Sequence, residues 1–245
     1  MRLTRVHIDQ PLRAGSEIAL PEGPATHLAR VLRLGVGDAC VLFNGDGHDY
    51  PARIVALGKR ELRVAIDAAQ AVDRESPLRL VLLQGIARGE KMDLILQKAT
   101  ELGVAELRPL WSQRSEVKLD EARAEKRLAH WRSVVASACE QSGRARVPEV
   151  AAPVSLSAAL AALPDGGLRL ILDPEGELAF STLSVATDVP IHLAIGPEGG
   201  WSPLDREQLR AAGFSGLRLG PRILRTETAG LAAIAALQAR FGDLA

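Results

Sequence analysis

Three continuous apolar runs in the second half of the chain constrain its fold more than any other feature. They cover residues 168–173, 191–196 and 216–220. Strands that are buried on both faces form continuous apolar runs of this kind, whereas strands with one face in water alternate apolar and polar residues. The runs therefore predict a mostly parallel sheet that is covered by helices.

The segment before these runs alternates between strand-like and helix-like patterns. It contains two predicted strands and two predicted helices, which are strands 78–86 and 105–111 and helices 91–103 and about 120–141. The chain finishes with a predicted helix over 227–241, which has no polar face from 229 to 237. A helix that is apolar nearly all round is expected to be buried, either in the core or against a second subunit.

The first part of the chain reads as short β segments separated by turn residues. Five strands are predicted there, over residues 5–8, 16–20, 39–43, 50–57 and 61–66. One helix is predicted over 25–34, and the Asn-Gly-Asp-Gly stretch at 44–47 is predicted to be a hairpin turn without chemistry. We therefore predict an α/β protein of two domains, a small β-barrel over 1–72 and a parallel-sheet domain over 73–245.

Composition excludes several classes of protein. The N-terminal residues lack the apolar stretch of a signal peptide, and no run approaches the roughly eighteen apolar residues that span a bilayer, so no membrane association and a cytoplasmic location are expected. Cys40 and Cys139 are isolated, which predicts buried, reduced thiols, and five scattered histidines predict no metal site. The net charge is zero, yet residues 84–146 carry 12 Lys and Arg against 9 Asp and Glu, which allows a nucleic-acid partner.

Three loops follow the apolar runs, over 173–177, 196–202 and 220–226, and ligands of open α/β sheets bind beyond the carboxyl ends of strands. The second loop has three glycines in five positions, which opens the backbone to a ligand. Ser202, Pro203 and Asp205 then predict the capped start of a helix. By itself this pattern fits a binding corner and a simple glycine-rich turn equally well.

The third loop adds features that favour a ligand. Arg222 and Arg225 flank an apolar pair, Ile223 and Leu224, and a Thr-Glu-Thr triplet opens the last helix. Apolar side chains beside exposed backbone groups are suited to an adenine ring. The alternative for the charged residues here is an ordinary surface ion pair.

These stretches resemble a known family. The segments GPEGGWS (196–202), LGPRILRTETAGLAAIAAL (219–237) and RFGDLA (240–245) are similar to the 16S ribosomal RNA (uracil-1498-N3)-methyltransferase family of the SPOUT superfamily. The similarity continues through residues 27–38, 42–47, 87–104, 109–119 and 138–150, so that it covers nearly the whole chain.

The resemblance implies a fold and a cofactor. It implies a C-terminal SPOUT-type domain with a trefoil knot, an exception to the rule that chains are unknotted, preceded by a PUA-like β-barrel that helps to grip RNA. It also implies a homodimer, and S-adenosylmethionine (SAM) bound in the knot. The cofactor residues that it implies are Leu172, Asp173, Ile195, Gly196, Pro197, Glu198, Gly199, Gly200, Leu219, Gly220, Ile223, Leu224, Arg225, Thr228 and Ala229.

The implied reaction is methylation of N3 of a uridine in 16S rRNA, with the assembled 30S subunit as the favoured substrate and without a metal. N3 of neutral uracil bears a proton, so the reaction needs a proton acceptor as well as alignment of the two reactants. Glu198 or Glu227 is the expected acceptor, and Arg225 is expected to stabilise negative charge on the uracil oxygens. The candidates for RNA contact are Arg30, Arg33, Lys91, Arg114 and Arg144.

Two other functions remain open from the sequence. Another SPOUT enzyme, which would methylate a ribose 2′-hydroxyl or a guanine of tRNA, would share the knot and the cofactor. A noncatalytic RNA-binding module with a vestigial knot would retain only the N-terminal domain's role. The sequence alone leaves open which carboxylate accepts the proton, which basic residues contact RNA, and whether free or assembled rRNA is the substrate.

Overall fold

A computed structural model describes residues 3–58, 61–115, 121–186 and 188–244 of the chain. The described chain divides into two compact units. The first unit extends to Glu75 and includes Ala136–Val147, and the second consists of Ser76–Val135 and the residues from Pro148 onward. The first unit thus takes in a segment that the predicted division at residue 72 assigned to the second domain, and that division stays a prediction.

The first unit is built on a six-stranded sheet in the order β1-β3-β4-β5-β2, with β6 paired to β4. The strands are β1 (Arg5–His7), β2 (Glu17–Ala19), β3 (Ala39–Phe43), β4 (His48–Leu57), β5 (Leu62–Ile66) and β6 (Gln70–Ala71). The β1–β3 pair is parallel and the other pairs are antiparallel. Alternate residues of β5 are buried, as expected for a strand with one face on the core.

The predicted helix over 25–34 is shifted in the structure. A short helix α1 (Glu22–Thr26) continues as a π-helical turn over His27–Val31. Arg33 then has a φ of 56°, in the left-handed region, so the right-handed helix cannot extend through this residue. The helix therefore begins three residues before the predicted start and ends before the predicted end.

A buried arginine explains why residues 136–147 belong to the first unit. Arg5 is 8% exposed, and its guanidinium donates to the carbonyls of Gly143 and Arg144, each at 3.0 Å. The same guanidinium forms an ion pair with Asp49 at 2.9 Å and lies 4.7 Å from the ring centre of Phe43. Arg5 thereby joins the first strand to a segment about 140 residues later in the chain.

Both cysteines are buried thiols, and we expect neither to react in the native protein. Burial raises the pKa of the Cys40 thiol to about 11 and that of the Cys139 thiol to about 12. The thiolate is the reactive form, so an aromatic disulfide reagent at about pH 8 should label neither residue until urea unfolds the chain. Native labelling of one thiol within the mixing time would contradict the structure.

The second unit contains a sheet in the order β10-β8-β7-β13-β11-β14-β12, with β9 paired to β8. Its strands are β7 (Leu80–Gly85), β8 (Glu106–Trp111), β9 (Glu149–Val150), β10 (Val154–Ser155), β11 (Leu168–Leu172), β12 (Leu178–Ala179), β13 (Ile191–Ile195) and β14 (Ser215–Arg218). All of the described pairs in this sheet are parallel. Every residue of β7 and β13 is buried, as expected for strands covered on both faces, whereas β11 and β14 also contain half-buried or exposed residues.

Five helices belong wholly or in part to this second unit. They are α2 (Glu90–Glu101), α3 (Glu121–Ser142), α4 (Leu156–Ala161), α5 (Pro203–Ala211) and α6 (Thr226–Phe241). In the last helix Gly230, Ala233, Ile234 and Leu237 are buried, whereas the apolar residues at 231, 232, 235 and 236 are half-buried. Within the described ranges, no helix is long and apolar enough to cross a membrane.

Candidate active site

A cavity of about 450 Å³ lies at the carboxyl ends of β11, β13 and β14. Its walls come from residues 172–174, 195–198, 200–201, 217, 219–220, 222–226 and 229, together with Arg206 of α5. The carboxyl ends of parallel strands meet at one edge of the sheet, so the three predicted loops converge there. All the predicted cofactor residues line this cavity except Gly199 and Thr228.

The glycine-rich loop approaches other backbone closely. A Cβ added at Gly196 would lie 3.2 Å from the carbonyl carbon of Gly200, and Gly200 has a φ of 65°. A Cβ added at Gly85, where β7 ends, would lie 2.5 Å from the nitrogen of Pro197. The loop therefore keeps its course only with glycine at these points.

The predicted capped helix follows this loop and is confirmed. The Ser202 hydroxyl accepts from the backbone nitrogen of Asp205 at 3.0 Å, and the Asp205 carboxylate accepts from the backbone nitrogen of Ser202 at 2.9 Å. Pro203 occupies the first turn. This reciprocal cap fixes the angle at which α5 leaves the loop.

Replacing Ser202 with alanine should lower the free energy of unfolding by about 1–2 kcal/mol, because one buried backbone donor loses its acceptor. The hydroxyl also donates to the Gln113 side chain at 2.7 Å, and Ser202 is only 4% exposed. Urea denaturation measures the change, with Ser181→Ala at an exposed position as the matched control. A loss no larger than that of the control would contradict this assignment.

The carboxylate of Asp173 in the cavity wall is held by two contacts. It is 5% exposed, and its carboxylate accepts from the backbone nitrogen of Glu175 at 3.1 Å. The same carboxylate forms an ion pair with Arg206 of α5, and both residues line the cavity. Sequence analysis missed Arg206, because a single arginine on a charged helix gives no signal of a partner 33 residues earlier.

The two predicted carboxylates lie on either side of one lysine. Lys91 of α2 is 3.8 Å from a carboxylate oxygen of Glu198 and 3.5 Å from one of Glu227. The carboxylate of Glu198 also accepts from the backbone nitrogen of Arg88 at 3.0 Å. The second oxygen of Glu227 is buried and has no hydrogen-bond partner among the residues that the structure describes.

The surroundings of Glu198 make it a weaker proton acceptor. Burial alone would raise the pKa of its carboxyl, but the hydrogen bond from Arg88 and the charge of Lys91 outweigh burial and lower the pKa below its ordinary value. A carboxylate with a lowered pKa stays ionised at neutral pH and binds a proton less readily.

The predicted basic residues are dispersed. Arg225 lines the cavity at the start of α6, and Arg114 is exposed and donates to the carbonyl of Gly199 at 3.1 Å. Arg30 and Arg33 are exposed residues of the first unit. Arg144 is instead 4% exposed, with its guanidinium paired to Glu75, so the structure offers little of it to a partner.

Thr226 belongs to the polar triplet that the sequence indicated, but no individual role was predicted for it; its hydroxyl donates to the carbonyl of Gly196 at 2.5 Å. Trp201 is 4% exposed and forms part of the cavity wall. Both residues stood inside the predicted motifs, but nothing in the local pattern distinguished them from their neighbours. Among the residues with described positions, no group of three or more His, Cys, Asp or Glu could hold a metal ion.

The cavity fits the predicted cofactor in size and chemistry. Ligand sites of roughly 300–1,000 Å³ are mostly apolar with a few placed polar groups. Leu172, Leu219 and Leu224 supply apolar walls, and Asp173 supplies a buried carboxylate. The backbone of the glycine-rich loop is open to hydrogen bonding where side chains would otherwise intervene.

Comparison with protein families gives two matches. The model of an RNA methyltransferase domain matches residues 74–238, and that of an RNA methyltransferase PUA domain matches residues 23–67. The ribosomal RNA small subunit methyltransferase E of Buchnera aphidicola subsp. Schizaphis graminum is 33% identical over 99% of this chain and 98% of its own length. The Bacillus subtilis protein of the same name is 32% identical over 86% of this chain and 85% of its own length.

Two solved structures extend the comparison to three dimensions. The Neisseria gonorrhoeae ribosomal RNA small subunit methyltransferase E, bound to S-adenosyl methionine, is 38% identical, with a TM-score of 0.92 over 100% of both chains. A putative methyltransferase from Legionella pneumophila, in complex with SAM, is 37% identical, with a TM-score of 0.95 over 99% of this chain and 100% of that chain. The predicted fold class, a parallel α/β domain preceded by a PUA-like domain, is confirmed. The path of the chain through the knot stays a prediction.

Proposed function

The chain belongs to the RNA methyltransferase family that includes the ribosomal RNA small subunit methyltransferases E, and we propose that it methylates N3 of the uridine of 1498 type in 16S rRNA. It is a SAM-dependent enzyme that acts on ribosomal RNA. The observation that supports the proposed reaction is the cavity at the carboxyl edge of the sheet, with two carboxylates and one lysine beside its glycine-rich loop.

The reaction requires removal of the N3 proton of uracil, and we assign that task to Glu227. SAM supplies an electrophilic methyl group, and N3 must approach it with an electron pair free. Glu227 has a buried oxygen without a hydrogen-bond partner among the described residues, whereas Glu198 is engaged by the backbone of Arg88. Glu227 therefore has the more available carboxylate oxygen of the two, and it accepts the proton directly or through water.

Arg225 is assigned an electrostatic role in the same step. It is exposed at the start of α6 and lines the cavity, so its guanidinium can reach a base presented at the cavity opening. Loss of the N3 proton places negative charge on the uracil oxygens. A fixed cation beside those oxygens lowers the energy of the charged form and so favours proton removal.

RNA contact is assigned to three exposed arginines and one half-buried lysine. Arg30 and Arg33 would contact RNA from the first unit, and Arg114 and Lys91 from the second. Arg144 is the weakest of the candidates because its guanidinium is already paired with Glu75. We propose 16S rRNA within the 30S subunit as the substrate, and residues 1–72 and 73–245 as the functional division of the chain.

A homodimer is also proposed, with α6 at its interface. Four neighbouring apolar residues of this helix, at 231, 232, 235 and 236, are only half-buried within one chain, and a second copy would cover them. The cytoplasm, where ribosomal subunits assemble, is the proposed location.

Methyl transfer from tritiated SAM tests the substrate class. Three acceptors are compared at equal concentration, namely 30S subunits from cells that lack the modification, protein-free 16S rRNA and bulk tRNA. We expect label in 30S subunits at least tenfold faster than in either free RNA. Faster labelling of tRNA would replace this proposal with that of a SPOUT enzyme for another RNA.

A further inference from the structure

Three elements converge behind the cavity, and the side chains of Gln84 and Thr226 join them. The end of β7 meets the glycine-rich loop so closely that a Cβ at Gly85 would lie 2.5 Å from Pro197. The start of α6 meets the end of β13 almost as closely, since a Cβ at Gly230 would lie 3.2 Å from the side chain of Ile195. Gln84 and Thr226 lie at this junction.

Gln84 lies behind the cavity wall rather than in it. It is 1% exposed, and its side-chain nitrogen donates to the carbonyl of Gly85 at 2.9 Å and to the hydroxyl of Thr226 at 3.3 Å. Thr226 does line the cavity, and its hydroxyl donates onward to the carbonyl of Gly196 at 2.5 Å. The three groups form one chain of hydrogen bonds from β7 through α6 to the glycine-rich loop.

The two carbonyl groups at the ends of this series of hydrogen bonds determine which atom donates in each bond. Two carbonyl oxygens, those of Gly85 and Gly196, can only accept hydrogen bonds. The amide of Gln84 must therefore present its nitrogen, and the single proton of the Thr226 hydroxyl must point at Gly196. A hydroxyl held between one donor and one acceptor has no rotational freedom left.

We infer that Gln84 and Thr226 are positioning residues that set the spacing between the two loops that bind the cofactor. The inference rests on the proposed SAM site. Gly196 belongs to one of these loops and Thr226 to the other, and both line the cavity. Because Gln84 is separated from the cavity by Thr226, its contribution to cofactor affinity passes through that hydroxyl.

Titration calorimetry with SAM tests the inference on five variants of the chain. Thr226→Val removes the hydroxyl at nearly constant shape and should raise the Kd for SAM roughly tenfold, as an unpaired buried carbonyl moves the loop. Gln84→Met should raise it by a smaller factor, about threefold. Thr226→Ser keeps the hydroxyl and should restore affinity to within about twofold of the unsubstituted protein.

Gln238→Met provides the matched control. Gln238 is a glutamine of α6 that is also fully buried, and it donates to the carbonyl of Leu102 at 2.9 Å without lining the cavity. Its replacement should lower the Tm and leave the Kd for SAM within about twofold. If Gln238→Met weakened SAM binding as much as Gln84→Met does, a general loss of stability would explain both effects, and the positioning role would be overturned.

The double variant Gln84→Met/Thr226→Val decides whether the two residues act in series. If Gln84 acts only through Thr226, the double variant should bind SAM as weakly as Thr226→Val alone, within about twofold. If the factors by which the two single substitutions raise the Kd for SAM multiplied in the double variant, the two residues would act independently, and the proposed series of hydrogen bonds would be contradicted. Absence of SAM binding by the unsubstituted protein would instead overturn the proposed function, whereas unchanged binding by Thr226→Val would overturn only this inference.

Discussion

Replacing Gly85 with alanine is expected to weaken SAM binding by at least a hundredfold and to destabilise the protein by about 3 kcal/mol. The added Cβ would lie 2.5 Å from the nitrogen of Pro197, 2.7 Å from its Cδ and 2.9 Å from the carbonyl carbon of Gly196. All three atoms belong to backbone or to a proline ring, so no side chain can rotate away. The loop itself must move, and it forms one wall of the cofactor cavity.

Gly23→Ala is the control for this substitution. A Cβ at Gly23 meets nothing within 4 Å, and Gly23 lies in the short helix α1, where alanine is favoured. We expect unchanged SAM affinity and equal or slightly higher stability. Calorimetry with SAM and urea denaturation measure the two effects, and a Gly85→Ala protein that bound SAM normally would show that the loop does not need its observed course.

Replacing Glu227 with glutamine is expected to lower kcat by roughly a hundred- to ten-thousandfold, which is the usual contribution of a positioned general base. Glutamine has nearly the same shape and can still accept from Lys91, which lies 3.5 Å from the carboxylate. The affinity for SAM should therefore stay within about twofold. Single-turnover methylation of 30S subunits under saturating SAM isolates this step from product release.

Glu198→Gln should have a smaller effect on kcat, less than about tenfold. Its carbonyl can still accept from the backbone nitrogen of Arg88, and the lowered pKa of Glu198 already disfavours it as a base. Glu101→Gln, on the same helix as Lys91 but paired with Lys98, serves as a charge-matched control without effect. A Glu227→Gln enzyme that kept its rate while Glu198→Gln lost it would reverse the assignment.

The parallel sheet and the cavity edge could be predicted from the sequence because both depend on local patterns. Residues 168–172 and 191–195 are apolar apart from Arg169 and His192, and such runs are typical of strands covered on both faces. Glycines and a helix cap then follow the strand directly, which indicates a ligand loop. The positions of the cofactor loops could be predicted because each loop directly follows the carboxyl end of a predicted strand.

What the sequence could not predict depends on contacts between distant residues. Gln84 and Thr226 are 142 positions apart, and Arg5 is 138 positions from Gly143. Neither Gln84 nor Arg5 differs in local pattern from ordinary residues of a strand. The short strand β12 was missed for another reason, because two residues give no detectable periodicity.

Nucleoside mass spectrometry of 16S rRNA, after incubation of unmodified 30S subunits with the protein and isotopically labelled SAM, identifies the methylated base. We expect one labelled product, 3-methyluridine, and a single new stop of reverse transcription at the uridine of 1498 type, because a methyl group on N3 blocks base pairing. A labelled ribose, or a label on any other base, would contradict the proposed reaction.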